Sequence, residues 1–140
     1  MQINEGFKID RPDAFVPWDT TALELVALLG QHGLRQVTEG YYTLTCETLG
    51  GLRHELGFHF APLPDGRLSE LEFFRRSYAD QAASYQEFQE YFERAFGKPT
   101  HTTPGEEGFP YHEWRVRGAT IVHYVFDRFG PEEHMRIRRA

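Results

Sequence analysis

The side chains with the widest chemical use in this chain are its seven histidines, because imidazole serves both as a metal ligand and as a proton acceptor near neutral pH. In the strand register favoured below, His59 lies opposite Thr43 and His123 lies opposite Glu113, on the sheet face away from the helices. A carboxylate beside His123 would orient it as a general base or a ligand. His59, His123 and Glu113 are therefore the catalytic candidates, although an ordinary cross-strand polar pair is the simpler explanation.

The other reactive side chains point to no further chemistry. His54 and His59 are five residues apart on one predicted strand, so they face opposite sides and cannot bind one metal ion. Cys46 has the strand parity of Tyr42 and Leu44, which predicts a buried and inert thiol. The sequence also lacks a phosphate-binding loop, a dinucleotide fingerprint and the HExxH and GxSxG motifs. We therefore expect no metal and no cofactor.

Two charged stripes are the most distinctive surface feature of the sequence. Glu70 and Glu72 share one face of a predicted strand, and His134, Arg136 and Arg138 share one face of another. On one interpretation the stripes solvate or pair the two halves, with exposed pairs contributing less than about 1 kcal/mol each. On the other, an open sheet face binds a charged partner through arginine forks that suit carboxylate or phosphate.

The segment 97–110 is a long connection rich in Gly, Pro, Thr and charge, with Glu106 and Glu107 in its second half. Long ordered loops are often functional, so these two acids join the stripes as candidate binding residues. The alternative is a plain linker between a helix and its hairpin, and the sequence does not separate the two.

Two helices are predicted from capping signals and hydrophobic periodicity. Thr21 and Glu24 have capping-box spacing at the start of the run ALELVALLG, which Thr21 precedes. Ser84 and Glu87 repeat that spacing ahead of a run with aromatic residues at helical intervals. Glycines set the predicted ends, at Gly30 or Gly33 for the first helix and at Gly97 for the second.

Each helix precedes a stretch that reads as three short strands joined by two turns. A three-residue loop at 50–52 places Tyr42 opposite Phe60 and keeps the apolar side chains of both strands on one face, which a tight turn at 50–51 would not. In the second half, a three-residue loop at 117–119 places Trp114 opposite Val122. The last strands of the two halves carry apolar residues at alternate positions, Leu71 and Phe73 in one and Met135 and Ile137 in the other.

These patterns predict an α+β fold, a tandem α-β-β-β repeat in which an antiparallel sheet has the helices packed on one face. We expect a single domain over residues 1–140 with pseudo-repeats at 18–76 and 77–140, in one sheet or in two three-stranded halves. A helix followed by a strand meander resembles the architecture of small bacterial inhibitor and assembly-factor domains of the BLIP and BamE kind. This resemblance concerns the pattern of elements and implies no function.

Composition limits the classes of partner. A chain of 140 residues with 15% aromatic residues can build a packed core without disulfides. The polar first residues, the single cysteine and the lack of a long apolar run predict a cytoplasmic protein with no membrane partner. The 21 acidic and 15 basic side chains give a net charge of −6, which disfavours nucleic acid because its binding depends on neutralising phosphates.

Three functional hypotheses follow from the sequence. The first is a non-enzymatic protein-binding module, such as an inhibitor or an immunity-type protein that neutralises a toxin, with its acidic surface against a basic partner. The second is a small enzyme or ligand-binding domain that uses the His/Glu site on the sheet. The third is a homo-oligomer formed through the open sheet face or an edge strand.

Overall fold

A computed structural model describes residues 1–140, in which ten strands form one antiparallel sheet with two α-helices. The helices are α1 (Ala22–Leu29) and α2 (Gln81–Phe96). The strands are β1 (Gly6–Arg11), β2 (Ala14–Pro17), β3 (Arg35–Thr38), β4 (Tyr41–Thr48), β5 (Leu52–Phe60), β6 (Leu68–Phe74), β7 (His101–Thr103), β8 (Tyr111–Val116), β9 (Ala119–Asp127) and β10 (Pro131–Arg139). This is a mostly antiparallel α+β arrangement, as the sequence predicts.

The sheet runs in the order β2-β1-β4-β5-β6-β10-β9-β8-β7. Its centre is the pairing of β6 with β10, the last strands of the two halves. The outer edge of β4 is shared, because β1 pairs with its end near Thr48 and β3 pairs with its beginning near Tyr41. The alternative of two separate three-stranded halves is therefore wrong.

Both halves contain one more strand than the sequence pattern predicts. The short strands β3 and β7 follow α1 and α2 respectively, so each helix precedes four antiparallel strands. Strand β7 and a 3₁₀ turn at Glu106–Gly108 lie inside the segment 97–110. That segment is thus built partly from regular structure, with β7 paired to β8.

Helix α1 begins as predicted and α2 begins earlier. The Thr21 side chain caps α1 and Glu24 completes the capping box. Helix α2 starts one turn before the predicted box, because the Asp80 carboxylate accepts a hydrogen bond from the backbone N–H of Ala83 at 3.1 Å and caps it there. Ser84 is consequently inside the helix, where its hydroxyl donates a hydrogen bond to Glu133 at 2.9 Å.

The first hairpin has a three-residue loop, but the predicted register is shifted by two residues. Tyr42 pairs with Phe58 instead of Phe60, and the loop is 49–51. The shift is even, so the same side chains face the helices. Leu49 occupies the left-handed region with a φ of 54°.

The second hairpin contradicts the predicted register by a single residue. Val116 pairs with Ala119, which leaves a two-residue turn, and Trp114 pairs with Ile121 instead of Val122. Gly118 makes this turn possible, with a φ of 85° and a backbone so close to the N-terminal segment that a Cβ atom would lie 2.5 Å from Asn4 Cα. The odd shift turns the side chains of β9 to the face opposite the one predicted.

One hydrophobic core of 23 buried residues joins both halves. It includes Leu25 and Leu29 of α1, Phe88 and Phe92 of α2, and the inward side chains of the central strands. Because both helices contribute to the same cluster, they pack on the same face of the sheet. The opposite face carries the charged stripes.

No helix in the chain has the length and apolar character needed to cross a bilayer.

Candidate functional site

The catalytic candidate His59 lies on the sheet face away from the helices, as predicted, but beside different partners. It pairs with Tyr41 instead of Thr43, and its ring stacks on the Tyr41 ring at 4.3 Å between centroids. Its Nε2 is 3.7 Å from a carboxylate oxygen of Glu72, which is longer than a hydrogen bond. Tyr41 donates a hydrogen bond of 3.0 Å to the same carboxylate.

The candidate His123 lies on the other side of the sheet, fully buried beneath α2. It pairs with His112 instead of Glu113, a direct consequence of the two-residue turn. Its Nδ1 lies 2.8 Å from the Gln89 Oε1 and donates to it, since an amide oxygen can only accept. The Gln89 amide NH₂ donates to Glu93 at 2.9 Å, which fixes the orientation of the amide. The His123 Nε2 lies 2.5 Å from Glu133 Oε2.

Glu133 completes a closed polar network around His123. The Glu133 carboxylate also accepts hydrogen bonds from the Ser84 hydroxyl at 2.9 Å and the Gln81 amide at 3.2 Å. Burial lowers the pKa of His123, while the hydrogen bond to Glu133 and the charge of Glu133 oppose that change. The side chains of His123 and Glu133 are 0% exposed, so no substrate reaches them and the network ties α2 to β9 and β10.

Glu113 is the third catalytic candidate, and it contacts neither histidine. It pairs with Val122 and its carboxylate forms an ion pair of 2.8 Å with Arg115. His59 is on one face of β5, His123 is on the other face of β9, and Glu113 is on β8. The three side chains form no common site.

The charged stripes meet at the junction of β6 and β10. Arg136 pairs across the sheet with Glu72, and Arg138 pairs with Glu70. The Arg136 guanidinium contacts Glu70 at 3.0 Å and Glu72 at 2.9 Å, and Arg138 contacts Glu70 at 3.4 Å. Their charges are thus largely satisfied by each other.

His134 lies at the same stripe and is covered by its neighbours. Its ring stacks on Tyr124 at 4.9 Å, and its Nδ1 lies 3.3 Å from a guanidinium nitrogen of Arg136. Burial lowers the pKa of His134, and the nearby positive charge of Arg136 acts in the same direction. Arg136 and Arg138 with Glu70 and Glu72 join the two halves electrostatically, which leaves little charge on this face for a partner.

The two remaining binding candidates, Glu106 and Glu107, are exposed at the tip of the second half. The 3₁₀ turn that carries them packs against the end of β9, and the side chain of Asp127 lies against Glu107. Asp127 raises the pKa of the Glu107 carboxyl through a shared hydrogen bond and through its charge. Two carboxyl groups therefore lie side by side at the surface, and neither forms an ion pair.

Two exposed phenylalanines flank Asp127 in the sequence, Phe126 at the end of β9 and Phe129 in the β9–β10 turn. Phe126 is 41% exposed and Phe129 is 88% exposed. Arg128 lies over the Phe129 ring at 5.3 Å from its centroid. We define the tip patch as Glu106, Glu107, Phe126, Asp127 and Phe129.

Cys46 and His54 lie near each other in the first half, yet they do not form an activated nucleophile. The Cys46 Sγ is 4.0 Å from His54 Nε2. Burial, helped by the charge of Glu55, raises the pKa of Cys46 to about 12. Burial lowers the pKa of His54 to about 4. Both groups are neutral at pH 7, so the prediction of an inert, buried thiol is consistent with the structure.

Sequence reasoning missed the partners of His123 and the exposed aromatics of the tip patch. Glu133 and Gln89 belong to other elements of the chain than His123, and no local sequence pattern predicts their contact with it. A signal for His123 was present, because Ile121, His123 and Val125 alternate on one parity and two of the three are apolar. Phe129 stands next to Gly130 in a predicted turn, a place where a phenylalanine has no core to enter.

No three side chains of His, Cys, Asp or Glu lie close enough together to hold a metal ion. Comparison of the chain with models of protein families, with curated proteins and with solved structures found no match.

Proposed function

We propose that the protein is a non-enzymatic binding module that recognises a basic protein through the tip patch. The observation that supports this most directly is the placement of Phe129, 88% exposed, two residues from Asp127, whose side chain lies against the exposed Glu107. Binding sites on proteins commonly combine an aromatic anchor with charged residues that select the partner. A lysine or arginine of a partner would pair with Asp127 and Glu107 while Phe129 enters an apolar pocket.

The net charge of −6 also favours recognition of a basic partner. A negative surface accelerates encounter with a positive partner more than it increases affinity. An inhibitor or an immunity-type protein that neutralises a basic toxin would use such a surface. The product of a gene adjacent to that of this protein is therefore the first partner to test.

We also propose that the two halves arose as a tandem repeat. The order of one helix followed by four antiparallel strands occurs twice, and the final strands pair with each other at the centre of the sheet. The tip patch belongs to the second half alone, so a repeat of this kind would provide one recognition surface on a duplicated scaffold.

The test uses the full chain as bait in an extract of its host, followed by purification of the captured protein and calorimetric measurement of its Kd. Phe129→Ala should weaken binding at least about tenfold, as expected for an aromatic anchor. Leu63→Ala is the matched control, because Leu63 is 85% exposed in the first half and lies outside the tip patch. Its Kd should equal that of the parent.

Glu107→Gln separates a binding role from a structural one. The substitution removes a negative charge beside Asp127 and supplies an amide that can donate to the Asp127 carboxylate, so the free energy of unfolding should stay constant or rise, whereas affinity for a basic partner should fall. Affinity of the parent should also decrease with added salt. The proposal is refuted if the purified partner binds Phe129→Ala and Glu107→Gln as tightly as the parent, or if no saturable protein partner is obtained.

A further inference from the structure

A second feature of the surface is an open cleft of about 580 Å³ at the margin of the sheet in the first half. Strand β6 ends opposite Glu55, so Leu52, Arg53 and His54 of β5 have no partner strand on that side. The chain crosses here from β6 towards α2. The cleft lies along this unpaired end of β5, far from the tip patch in sequence.

Four arginines line the cleft, which is a high local density for an acidic protein with 15 basic residues in all. They are Arg11, Arg53, Arg75 and Arg76. Arg11 is at the end of β1, Arg53 is near the start of β5, and Arg75 and Arg76 are in the crossing segment after β6. They line one cleft because the sheet and the crossing segment bring these positions together.

Arg75 is the least exposed of the four arginines, with 23% of its side chain accessible. Its guanidinium donates to the Ser84 hydroxyl at 2.7 Å, forms an ion pair with Glu87 and lies over the Phe88 ring at 4.5 Å from its centroid. It also donates to the backbone carbonyl of Arg53 at 3.5 Å. These contacts fix Arg75 between the crossing segment, α2 and β5.

The side chains of the other three arginines are exposed. The Arg53 side chain is 86% exposed and 3.7 Å from Glu47, and the Arg76 side chain is 63% exposed and 3.1 Å from Glu55. Arg11 is exposed and forms no ion pair. The Arg53–Glu47 pair is exposed on its arginine side and therefore weak, so a ligand that offers two oxygens can displace Glu47. Glu55 is buried and contacts Arg76 through Nε, so a ligand there would bind the terminal nitrogens of Arg76.

The lining carries four arginines against two glutamates, and Glu87 outside the lining pairs with Arg75, so these residues together have an excess of one positive charge. We propose that this cleft binds a small dianionic ligand, a phosphate monoester or a dicarboxylate, through Arg11, Arg53 and Arg76. Guanidinium forks match the oxygen spacing of both groups and bind them in a bidentate manner. The volume lies within the range of small-molecule sites.

The remaining lining groups do not compensate the positive charge. Burial keeps the thiol of Cys46 and the imidazole of His54 neutral at pH 7, since their pKa values are about 12 and about 4 respectively. Thr45 donates its hydroxyl to Glu55 at 2.9 Å and so engages one of the two acids. Ser77, which is exposed at the rim, offers a neutral hydroxyl to a ligand oxygen.

The experiment titrates the ¹⁵N-labelled full chain with inorganic phosphate and, separately, with succinate at constant ionic strength, and records amide and arginine side-chain shifts. Either dianion should give saturable shifts at Arg53 and Arg76, and acetate should bind at least about tenfold more weakly because it carries one charge fewer. Tighter binding of phosphate identifies a phosphate monoester as the natural ligand class, and tighter binding of succinate identifies a dicarboxylate. Both outcomes support the cleft.

The matched variants are Arg53→Ala, Arg76→Ala and Arg11→Ala, with Arg35→Ala as the control because Arg35 is exposed on β3 outside the cleft. Each cleft variant should raise the Kd for the better dianion at least about tenfold while the control leaves it unchanged. Thermal unfolding of each variant without ligand confirms that it is folded. Absence of saturable shifts, or equal binding by Arg35→Ala and the three cleft variants, would overturn the proposal.

Discussion

Replacing His54 with asparagine should reduce the loss of stability that the protein undergoes in mild acid. His54 is 4% exposed. Its Nδ1 donates to the backbone carbonyl of Glu55 at 2.8 Å, and its Nε2 accepts from the Thr48 hydroxyl at 2.7 Å. Both contacts suit the neutral ring. Burial lowers the pKa of His54 from 6.5 to about 4, and the nearby charge of Arg75 acts in the same direction.

The sign of the effect follows from comparing the folded and unfolded chains. Between pH 6.5 and pH 4 the unfolded chain holds a proton on His54 that the folded chain does not, so the free energy of unfolding decreases as the pH falls. A pKa difference of one corresponds to about 1.4 kcal/mol. Relative to pH 7, His54 should therefore remove about 2 kcal/mol at pH 5 and about 3 kcal/mol at pH 4.

Urea unfolding at closely spaced pH values from 7.5 to 4 measures this directly. His54→Asn lowers stability at neutral pH by losing packing, so the shape of the profile is compared instead of its height. The parent curve should fall more steeply than the variant curve by the amount given above. His32→Asn, at an exposed position, is the control and should keep the parent shape. Parallel profiles for the parent and His54→Asn would refute the assignment of a neutral, buried His54.

Three further outcomes test the core, a turn and the thiol. Phe73→Ala should lower the free energy of unfolding by about 3–5 kcal/mol, measured by urea titration, because Phe73 is fully buried and packs edge-on against Phe7 and Phe92 at 5.4 and 4.9 Å. Gly118→Ala should be more destabilising than Gly50→Ala in the same measurement. Both positions have positive φ, but a Cβ at Gly118 would lie 2.5 Å from Asn4 Cα, whereas Gly50 has open space. Cys46 should react with iodoacetamide far more slowly than free cysteine at pH 8, because it is buried and its pKa is about 12; labelling at the rate of free cysteine would contradict that burial.

Local signals predicted the elements of the fold better than their exact limits. The capping box of α1 involves two residues three apart, so the sequence contains all the information needed to place it. The start of α2 was misplaced because Asp80 and Ser84 are both acceptable caps, and the choice depends on Glu133, which engages Ser84 from a distant strand. The short strands β3 and β7 lack periodicity of their own and exist because longer strands offer them an open edge.

The second hairpin shows how one residue in a turn determines on which face of the sheet a histidine lies. Side chains alternate between faces, so a loop of two residues instead of three moves every side chain of β9 to the other side of the sheet. That choice is made by Gly118, whose contact with Asn4 admits no side chain, and Asn4 is over a hundred residues away in the sequence. The residue affected is His123, which lies in the core beside Glu133 instead of on the open face beside Glu113.

The charged stripes on β6 and β10 could be predicted because their alternation is independent of turn length. Their arginines and glutamates form ion pairs with each other across the sheet, which leaves little unpaired charge for a partner. The two binding sites that we propose therefore lie elsewhere, at the acids of the tip patch and at the arginines beside the unpaired end of β5.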